Sequence, residues 1–493
     1  MKDGSRIVVV GGGIAGVSCI QHLADSEELP DSTELVLVCG KNGYVKRVTN
    51  YEKAGIVMEK FQVEIESAST FTGRYSKVTV IEDTVISWDS NTKTLKLSSG
   101  EELKYDKLVI ATGAEPKTLN FEKCDKILTI RDTDTIAKLE KRLCKAKRVA
   151  IVGDGGIGME LAFELKNQEI TWVLKEVSVG SMFFDVQVAI GLERGFETGR
   201  IEPDLKDEAK YQRYQTSEAD TSSKKDVLGC SLGPFWLGSL HQPSGAVGTV
   251  SGTTGTIGGT SGTACNKNSA DSKNGLHRKI DIKRGAKVTG YGINNDEITV
   301  KLSDGTEVTV DLVIEAMGVW PASKMWKESC NELQLAEDGG IIVYEHMKTT
   351  VDDVYACGDV CTVKWEHQSK LWRQMRLWTQ ARQFGQFTAL NLIEHQLELD
   401  QIFDIFAHTT TFAGQKVILL GDFDAKDGEI ELEYVNDYVI RTVIRDNKVV
   451  GTCLIGETDC ADMFEQLIVT ELDVSKCPRP ISNQYGDIVD YFD

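Results

Sequence analysis

The sequence predicts an α/β protein with two Rossmann-like domains, each of three layers, and a small C-terminal α+β domain. Two glycine-rich turns, GGGIAG at 11–16 and GDGGIG at 153–158, each follow a short β-branched strand and open an apolar helix. Further along, the run VYACGDV at 354–360 reads as a strand that leads into Gly-Asp. One strand-turn-helix unit arises easily from packing alone, whereas two in one chain indicate two dinucleotide-binding folds.

The first unit spans Arg6 to Ser18. Its first glycine makes the tight turn, the second lets the backbone approach a pyrophosphate, and the third lets the helix lie close to the strand. The helix N-terminus also directs N–H groups and a positive dipole end toward phosphate. The residues that we predict to bind the cofactor here are Gly11, Gly12, Gly13, Ile14, Ala15 and Gly16.

Length, charge and cysteine usage limit the class of protein. A chain of 493 residues suggests about three domains. With 55 basic and 75 acidic side chains the net charge is -20, which argues against direct nucleic-acid binding. No apolar run is long enough for a membrane helix, and the first strand starts too early for a signal peptide. Without that signal, the 12 cysteines are typical of reduced thiols in a cytosolic or nuclear protein.

The second strand, Glu34 to Val38, does not end on the acidic residue that usually holds a ribose hydroxyl. The following loop places Lys46 and Arg47 where a cation could reach a phosphate or the edge of an isoalloxazine ring, although a solvated loop is equally compatible. A later buried strand, Lys107 to Ile110, ends in three small residues that allow close approach of a cofactor. These residues are Ala111, Thr112 and Gly113.

The second glycine turn predicts a nicotinamide nucleotide site. Strand 149–152 leads into Gly153, Gly155 and Gly158, and the helix is expected to begin with Met159 and Glu160.

The next strand, ITWVL, leads to the residues that would contact the adenosine ribose of that nucleotide. Lys175 could meet a 2′-phosphate, and Glu176 could meet a free ribose hydroxyl. The choice between NADH and NADPH therefore stays open.

A flexible insertion is predicted near 190–278, because Pro243 to Asn274 is rich in Gly, Ser and Thr. Regular structure resumes with a hairpin that turns at Asp304-Gly305, and its returning strand ends at Gly318. Gly358 and Asp359 close a later strand that is expected to run through Cys357. The carboxylate there either accepts hydrogen bonds from cofactor sugar hydroxyls or acts as a plain helix N-cap.

A long helix is expected over 371–395, followed by the C-terminal module, in which we expect a turn at Asp446-Asn447 and a helix from Ala461. The resulting domain prediction is 1–118 with 335–400 for the first nucleotide domain, 119–334 for the second, and 401–493 for the C-terminal domain with an acidic tail. We assign no catalytic acid or base, since His408 is only a weak candidate, and we predict no metal site.

The motifs GGGIAG, LVIATGAEP, IVGDGGIGMELA and VYACGDV, in this order, resemble the pyridine nucleotide-disulfide oxidoreductase family. The resemblance implies two Rossmann-like FAD/NAD(P)-binding domains, with FAD held by the first turn and the late Gly-Asp, and NAD(P)H held by the second turn as co-substrate. It covers most of the chain outside 183–280. Disulfide reductases of this family need two nearby thiols beside the flavin. Cys39 stands alone, and Cys357 and Cys361 straddle the Gly-Asp turn, so the disulfide chemistry does not carry over.

Finer features such as TNYEK, LGPFW, LIGETD and DYFD point to one branch of that family. This resemblance implies a protein of the nucleus and cytoplasm that protects the tRNA-splicing ligase complex from oxidation. The expected function is hydride transfer from NAD(P)H to flavin and then to an unidentified acceptor, without a protein disulfide. The alternative is a redox-gated binding protein that holds a slow complex of reduced flavin and nucleotide. The sequence leaves the oligomeric state open.

Overall fold

The computed structural model describes residues 4–131, 133–165, 167–184, 186–197, 280–294, 297–393, 397, 399, 401–425, 427–435, 438–456 and 458–484. The first part of the chain contains β1 (Arg6–Val10), α1 (Ile14–Asp25), β2 (Glu34–Val38), β3 (Tyr44–Lys53), β4 (Glu59–Ser67), α2 (Ala68–Arg74), β5 (Val78–Ile81), β6 (Val85–Asp89), β7 (Thr94–Leu97), β8 (Glu102–Lys104), β9 (Lys107–Ile110) and β10 (Ala114–Pro116). The middle part contains β11 (Ile127–Thr129), α3 (Thr133–Leu143), β12 (Arg148–Val152), α4 (Gly156–Glu164), β13 (Glu169–Val173), α5 (Val186–Glu197), β14 (Ile280–Lys283), β15 (Val288–Asn294), β16 (Glu297–Leu302), β17 (Glu307–Val310), β18 (Leu312–Glu315) and β19 (Val319–Pro321). The last part contains α6 (Lys324–Ser329), β20 (Ile341–Val343), β21 (Val354–Ala356), β22 (Cys361–Val363), α7 (Trp378–Ile393), β23 (Ala407–Phe412), β24 (Gln415–Gly421), β25 (Glu429–Val435), β26 (Tyr438–Arg445), β27 (Lys448–Ile455) and α8 (Ala461–Thr470).

Two five-stranded parallel sheets carry the two glycine turns. The first has the order β21-β9-β1-β2-β5, and the second has the order β11-β18-β12-β13-β14. In the first sheet the last residue of β1, Val10, pairs with Val38 and Ile110, so β1, β2 and β9 end at one edge. Ligands of open parallel sheets bind at such an edge, so both glycine turns lie where a nucleotide is expected. The α/β fold with two Rossmann-like units is thus confirmed.

The C-terminal module is an antiparallel sheet of order β23-β24-β27-β26-β25. One face packs against α8, and the other shares a hydrophobic cluster with α4 and α5. Alternate residues of β24 divide between the two faces: Val417 and Leu419 lie on the α4 side, and Ile418 and Leu420 on the α8 side. The antiparallel sheet therefore packs against α4 and α5, the helices that accompany the second parallel sheet.

Several predicted elements are confirmed, because local requirements determine them. The strands 34–38 and 107–110 occur with the predicted bounds, and the helix from Ala461 is present. Gly305 turns its hairpin with φ of 85°. Asp446 and Asn447 both have positive φ, as a two-residue hairpin turn of the primed type requires.

The helix predicted from residue 371 is wrong in its start, since α7 begins at Trp378. The Gln380 side chain binds the backbone of the preceding non-helical segment: it accepts a hydrogen bond from the N–H of Met375 at 2.7 Å and donates to the carbonyl of Arg373 at 2.8 Å. These bonds replace the helical ones.

The predicted start of the insertion, near residue 190, is too early. Residues 186–197 form α5, whose Val188, Ala189 and Leu192 are buried at helical spacing. The stretch 198–279, including Pro243 to Asn274, and the acidic tail from 485 lie outside the described residues.

Two boundaries near the glycines also differ from the prediction. The strand expected to run through Cys357 ends at Ala356, and the chain turns at Gly358, which has a φ of 75°. Helix α4 begins at Gly156 rather than Met159, since Gly155 O already accepts from the N–H of Met159. Among the described residues no helix is long and apolar enough to cross a membrane. The predicted domain boundaries remain predictions.

Candidate cofactor sites

The first glycine turn is built so that only glycine fits three of its positions. Gly11 has φ of 135°, and a Cβ there would lie 2.1 Å from the carbonyl oxygen of Ala111 on the neighbouring strand. A Cβ on Gly16 would lie 2.1 Å from the carbonyl oxygen of Gly11. These contacts clamp β1, β9 and α1 together. A Cβ on Gly12 would meet Tyr44 O at 2.8 Å.

Gly13 differs, because a Cβ there would have no protein atom within 4 Å. It is the N-cap of α1 with φ of -76°, an ordinary conformation, and no side chain caps the helix. The first turn of α1 also contains no acidic residue. Packing therefore does not explain this glycine, whereas a pyrophosphate lying over the helix N-terminus does.

The next strand end lies beside this turn. The N–H of Ala111 donates to Val10 O at 2.9 Å. Thr112 donates its hydroxyl to Ala322 O at 3.0 Å, and Gly113 has φ of 70° with no atom within 4 Å of an added Cβ. Ile14 and Ala15 have buried side chains and supply the first backbone N–H groups of α1, and their contact with a cofactor stays a prediction.

The Gly358-Asp359 turn packs directly on the first helix. A Cβ on Gly358 would lie 2.6 Å from the Cβ of Ala15. Burial raises the pKa of Asp359 to about 6 even though Arg376 and Lys46 act to lower it. Lys46 is buried, and its N–H donates to Gly12 O at 2.9 Å. The structure thus brings the late carboxylate, Lys46 and the first glycine turn together.

Arg47 does not share this site. Its guanidinium is held by Glu64 at 2.5 Å and by Glu66 at 2.6 Å. Of the two cations that were left open between a cofactor contact and a solvated loop, Arg47 is held by carboxylates, whereas Lys46 lies beside the first glycine turn.

Three site residues were missed from the sequence: Arg376, Trp378 and Thr379. Arg376 donates to Asp359 O at 2.9 Å and to Asp338 at 2.7 Å, which orients the turn. The centroid of the Trp378 ring lies 4.9 Å from the Lys46 Nζ. In the first turn of α7, the buried Thr379 hydroxyl has no hydrogen-bond partner in the described part of the chain. An orphaned polar atom here suits a cofactor with polar ring edges.

The second glycine turn repeats the first. A Cβ on Gly153, which has φ of 113°, would lie 2.3 Å from Ala316 O, and one on Gly158 would lie 2.4 Å from Gly153 O. Gly155 caps α4 with φ of -70° and no side-chain cap, and its nearest atom to an added Cβ is Ala316 O at 3.9 Å. Gly318, at the end of the adjacent strand segment, has φ of 82° with open space around it.

Charged residues follow β13 where the nucleotide ribose is expected. The Lys175 ammonium lies 3.5 Å from the Glu176 carboxylate, and both side chains are more than half exposed. Glu160 is half-buried on α4. The predicted cation and carboxylate thus form one exposed ion pair. A 2′-phosphate that binds Lys175, or a ribose hydroxyl that binds Glu176, could each replace the contact between them.

The thiols near the first turn are poor redox groups. Cys357 and Cys361 are 1% and 0% exposed, respectively. Burial raises the pKa of Cys357 to about 12 and holds that of Cys361 well above its ordinary value. The position after β2, where related disulfide reductases carry a thiol pair, leads instead into the β3–β4 hairpin. A thiolate is the reactive form, so neither cysteine is poised to exchange.

His408 lies on the face of β23 that packs toward α4, with its Nδ1 buried and without a hydrogen-bond partner in the described residues. Burial lowers its pKa to about 4. Between about pH 6.5 and about pH 4 the unfolded chain therefore binds a proton that the folded chain does not, so stability falls as the pH falls. We expect His408→Gln to recover up to about 2 kcal/mol of the unfolding free energy that the wild type loses between pH 7 and pH 5, measured by urea denaturation.

The exposed His367 is the matched control, since His367→Gln should leave that loss unchanged. An equal loss in the His408 variant and the wild type would contradict a neutral buried imidazole.

Two Rossmann-like units, each with an open capping glycine beneath a helix N-terminus, define an oxidoreductase class that brings two dinucleotides together. A family model described as pyridine nucleotide-disulphide oxidoreductase matches residues 5–218 and 271–385. The chain belongs to this family, as the motifs predicted.

Relatives extend over the whole chain. Pyridine nucleotide-disulfide oxidoreductase domain-containing protein 1 of Mus musculus is 34% identical over 517 residues, covering 100% of this chain and 99% of the relative. The Dictyostelium discoideum protein of that name is 31% identical over 569 residues, covering 99% and 100%.

Solved structures show the same fold at low identity. The covalent putidaredoxin reductase-putidaredoxin complex matches with a TM-score of 0.64 at 17% identity, covering 96% of this chain and 94% of that one. The water-forming NADH oxidase of Lactobacillus brevis matches with a TM-score of 0.63 at 15% identity, covering 96% and 92%.

Proposed function

We propose that this oxidoreductase binds FAD at the first glycine turn and NAD(P)H at the second, and passes electrons to an acceptor without a protein disulfide. The observation that carries this proposal is the open space at Gly13 and Gly155, which contrasts with the close contacts that a Cβ would make at Gly11, Gly12, Gly16, Gly153 and Gly158. Flavin accepts hydride from a nicotinamide and releases its electrons to other acceptors. The protein supplies position and electrostatics.

Backbone and side-chain groups of the two sites would supply the contacts that position the cofactors. The N-terminal N–H groups of α1 and α4 receive the two pyrophosphates, since neither helix carries a side-chain cap. Asp359 accepts hydrogen bonds from sugar hydroxyls, and Lys46 supplies positive charge beside it. Thr379 donates its unpaired hydroxyl at the start of α7.

The proposal omits the disulfide chemistry in the family's name. Cys357 and Cys361, the two cysteines beside the Gly-Asp turn, are buried and burial raises the pKa of both thiols. Cys230 and Cys265 lie outside the described residues. Reaction of the reduced enzyme with a small disulfide should therefore be slow compared with its reaction with quinones or dioxygen.

Rapid anaerobic mixing with NADH or NADPH, followed by addition of each acceptor, tests catalysis. Turnover with a quinone many times faster than reoxidation in buffer supports the enzyme. A long-lived reduced complex that no acceptor discharges would instead favour the second candidate, a redox-gated binding protein.

Nucleotide preference depends on the exposed pair after β13. We expect both nucleotides to be used, and Lys175→Ser to raise the KM for NADPH about fivefold, because a partly exposed cation contributes about 1 kcal/mol to phosphate binding. The KM for NADH should stay unchanged. Glu176→Ser is the matched variant and should raise the KM for NADH instead; identical shifts for both nucleotides in both variants would contradict the assignment.

We also propose the tRNA-splicing ligase complex as the protein assembly that this activity protects, in nucleus and cytoplasm. The support is the resemblance carried by TNYEK, LGPFW, LIGETD and DYFD. Ligase activity under oxidising conditions should be preserved by this protein with NAD(P)H and lost when Gly13→Ala replaces it. Equal protection by that variant would contradict the proposal.

A further inference from the structure

A line of three easily oxidised aromatic side chains leads away from the first cofactor site. Trp326 of α6 is fully buried, and its indole N–H donates to the Thr112 hydroxyl at 3.2 Å. Thr112 closes the strand end beside the first glycine turn. The innermost member of the line is therefore in hydrogen-bond contact with a predicted cofactor residue.

The line continues without a break to the second and third members. The ring centroids of Trp326 and Trp88 are 5.6 Å apart at 68°, an edge-to-face contact. Trp88, on β6, is 3% exposed and donates its indole N–H to the Tyr105 hydroxyl at 2.7 Å. Each member thus touches the next.

Tyr105 ends the line at the surface. It lies between β8 and β9 and lines an open cavity of about 390 Å³ whose other walls include Arg6, Lys93 and Asp106. The phenol is itself buried, yet the cavity brings solvent and small polar molecules to its neighbourhood.

We propose that Trp326, Trp88 and Tyr105 form a relay that carries single electrons from the surface cavity to the cofactor edge of the first sheet, where they quench a strong one-electron oxidant. Tryptophan and tyrosine are the aromatic side chains that give up an electron most readily, and direct contact makes each transfer short. The inference rests on the proposed flavin site.

The one-electron oxidant in this relay is oxidised flavin excited by blue light. Trp326 would give one electron to the excited flavin, and Trp88 would give one electron to the Trp326 radical cation that results. Tyr105 would give one electron to the Trp88 radical cation, and its phenol proton would be released to solvent water, which reaches this residue through the cavity that it lines. A thiol in solution then returns one hydrogen atom to the tyrosyl radical and becomes a thiyl radical.

A second tryptophan pair provides the internal control. Trp365 and Trp372 lie 5.2 Å apart, but they pack among Phe384 and Phe403 and do not connect with Tyr105. Trp378 lies by Lys46 and is unchanged in every variant used, so it does not account for differences among them.

The experiment traps radicals by freezing the full-length FAD-loaded protein after blue light in thiol-free buffer, and identifies them by electron paramagnetic resonance. We expect a tyrosyl signal in the wild type and in Trp372→Phe. Trp88→Phe should lose that signal, and Tyr105→Phe should replace it with a tryptophan-type signal.

A tyrosyl signal that persists in Trp88→Phe or Tyr105→Phe would overturn the relay. Should Trp88→Phe fail to fold, Tyr105→Phe, which removes one oxygen, decides alone. Yellow wild-type protein with no tyrosyl signal contradicts the relay only, whereas colourless protein that does not take up FAD contradicts the proposed function and the relay with it.

Discussion

Gly13→Ala should abolish high-affinity FAD binding while the protein stays folded. The backbone at Gly13 has φ of -76°, and an added Cβ meets no protein atom, so the apo protein accepts alanine. Alanine is a poorer N-cap than glycine, but it also lowers the conformational entropy of the unfolded chain. These two effects oppose each other, so the unfolding free energy should change by no more than about 1 kcal/mol. The methyl group instead occupies the space of the pyrophosphate, and we expect an affinity loss on the order of a hundredfold, about 2.7 kcal/mol. Fluorescence titration of apo protein with FAD measures it.

Gly155→Ala is the matched variant in the second turn. It should retain FAD and weaken NAD(P)H binding by a similar factor, because its surroundings repeat those of Gly13. Gly16→Ala should instead lose both FAD and stability, since its Cβ would lie 2.1 Å from Gly11 O. Loss of both nucleotides in both capping variants would show that the two turns are not separate sites.

Glu465→Ala should destabilise the protein by about 3–6 kcal/mol, because two or three orphaned N–H groups cost about 1–3 kcal/mol each. Glu465 on α8 is 1% exposed and accepts from the N–H groups of Val57 at 2.7 Å, Met58 at 3.0 Å and Ile56 at 2.9 Å. These groups close the β3–β4 hairpin, which carries Lys46. FAD affinity should therefore fall as well. Chemical denaturation gives the first quantity and titration the second.

Two variants control this prediction. Glu465→Gln keeps one acceptor oxygen and the same shape, so it should lose less than half as much stability. Gln466→Ala lies on the exposed face of the same helix and should stay within about 0.5 kcal/mol of the wild type. A Glu465→Ala variant as stable as Gln466→Ala would contradict a role for this carboxylate in closing the hairpin.

The glycine turns and the strands before them were predictable because each depends on a local requirement: a positive φ at Gly11 and Gly153, and a buried β-branched run. Asp359 was predictable for the same reason, since its strand, turn and carboxylate are consecutive. The sequence also indicated the second small-residue strand end at Gly318.

The remaining site residues depend on contacts between distant segments. Glu465 binds the loop at 56–58 from more than 400 positions away, and its local sequence resembles any helix with one acidic residue. Lys46 and Arg47 are adjacent, and only the pairing of Arg47 with Glu64 and Glu66 separates their roles. Thr379 becomes notable only when its hydroxyl is found without a partner.

The most direct test of the two-site account is the flavin content of the purified full-length protein. The account predicts a yellow protein that releases a single FAD per chain on acid treatment, with the colour retained in Gly155→Ala and lost in Gly13→Ala. Correctly folded wild-type protein that is colourless and does not take up added FAD would contradict it.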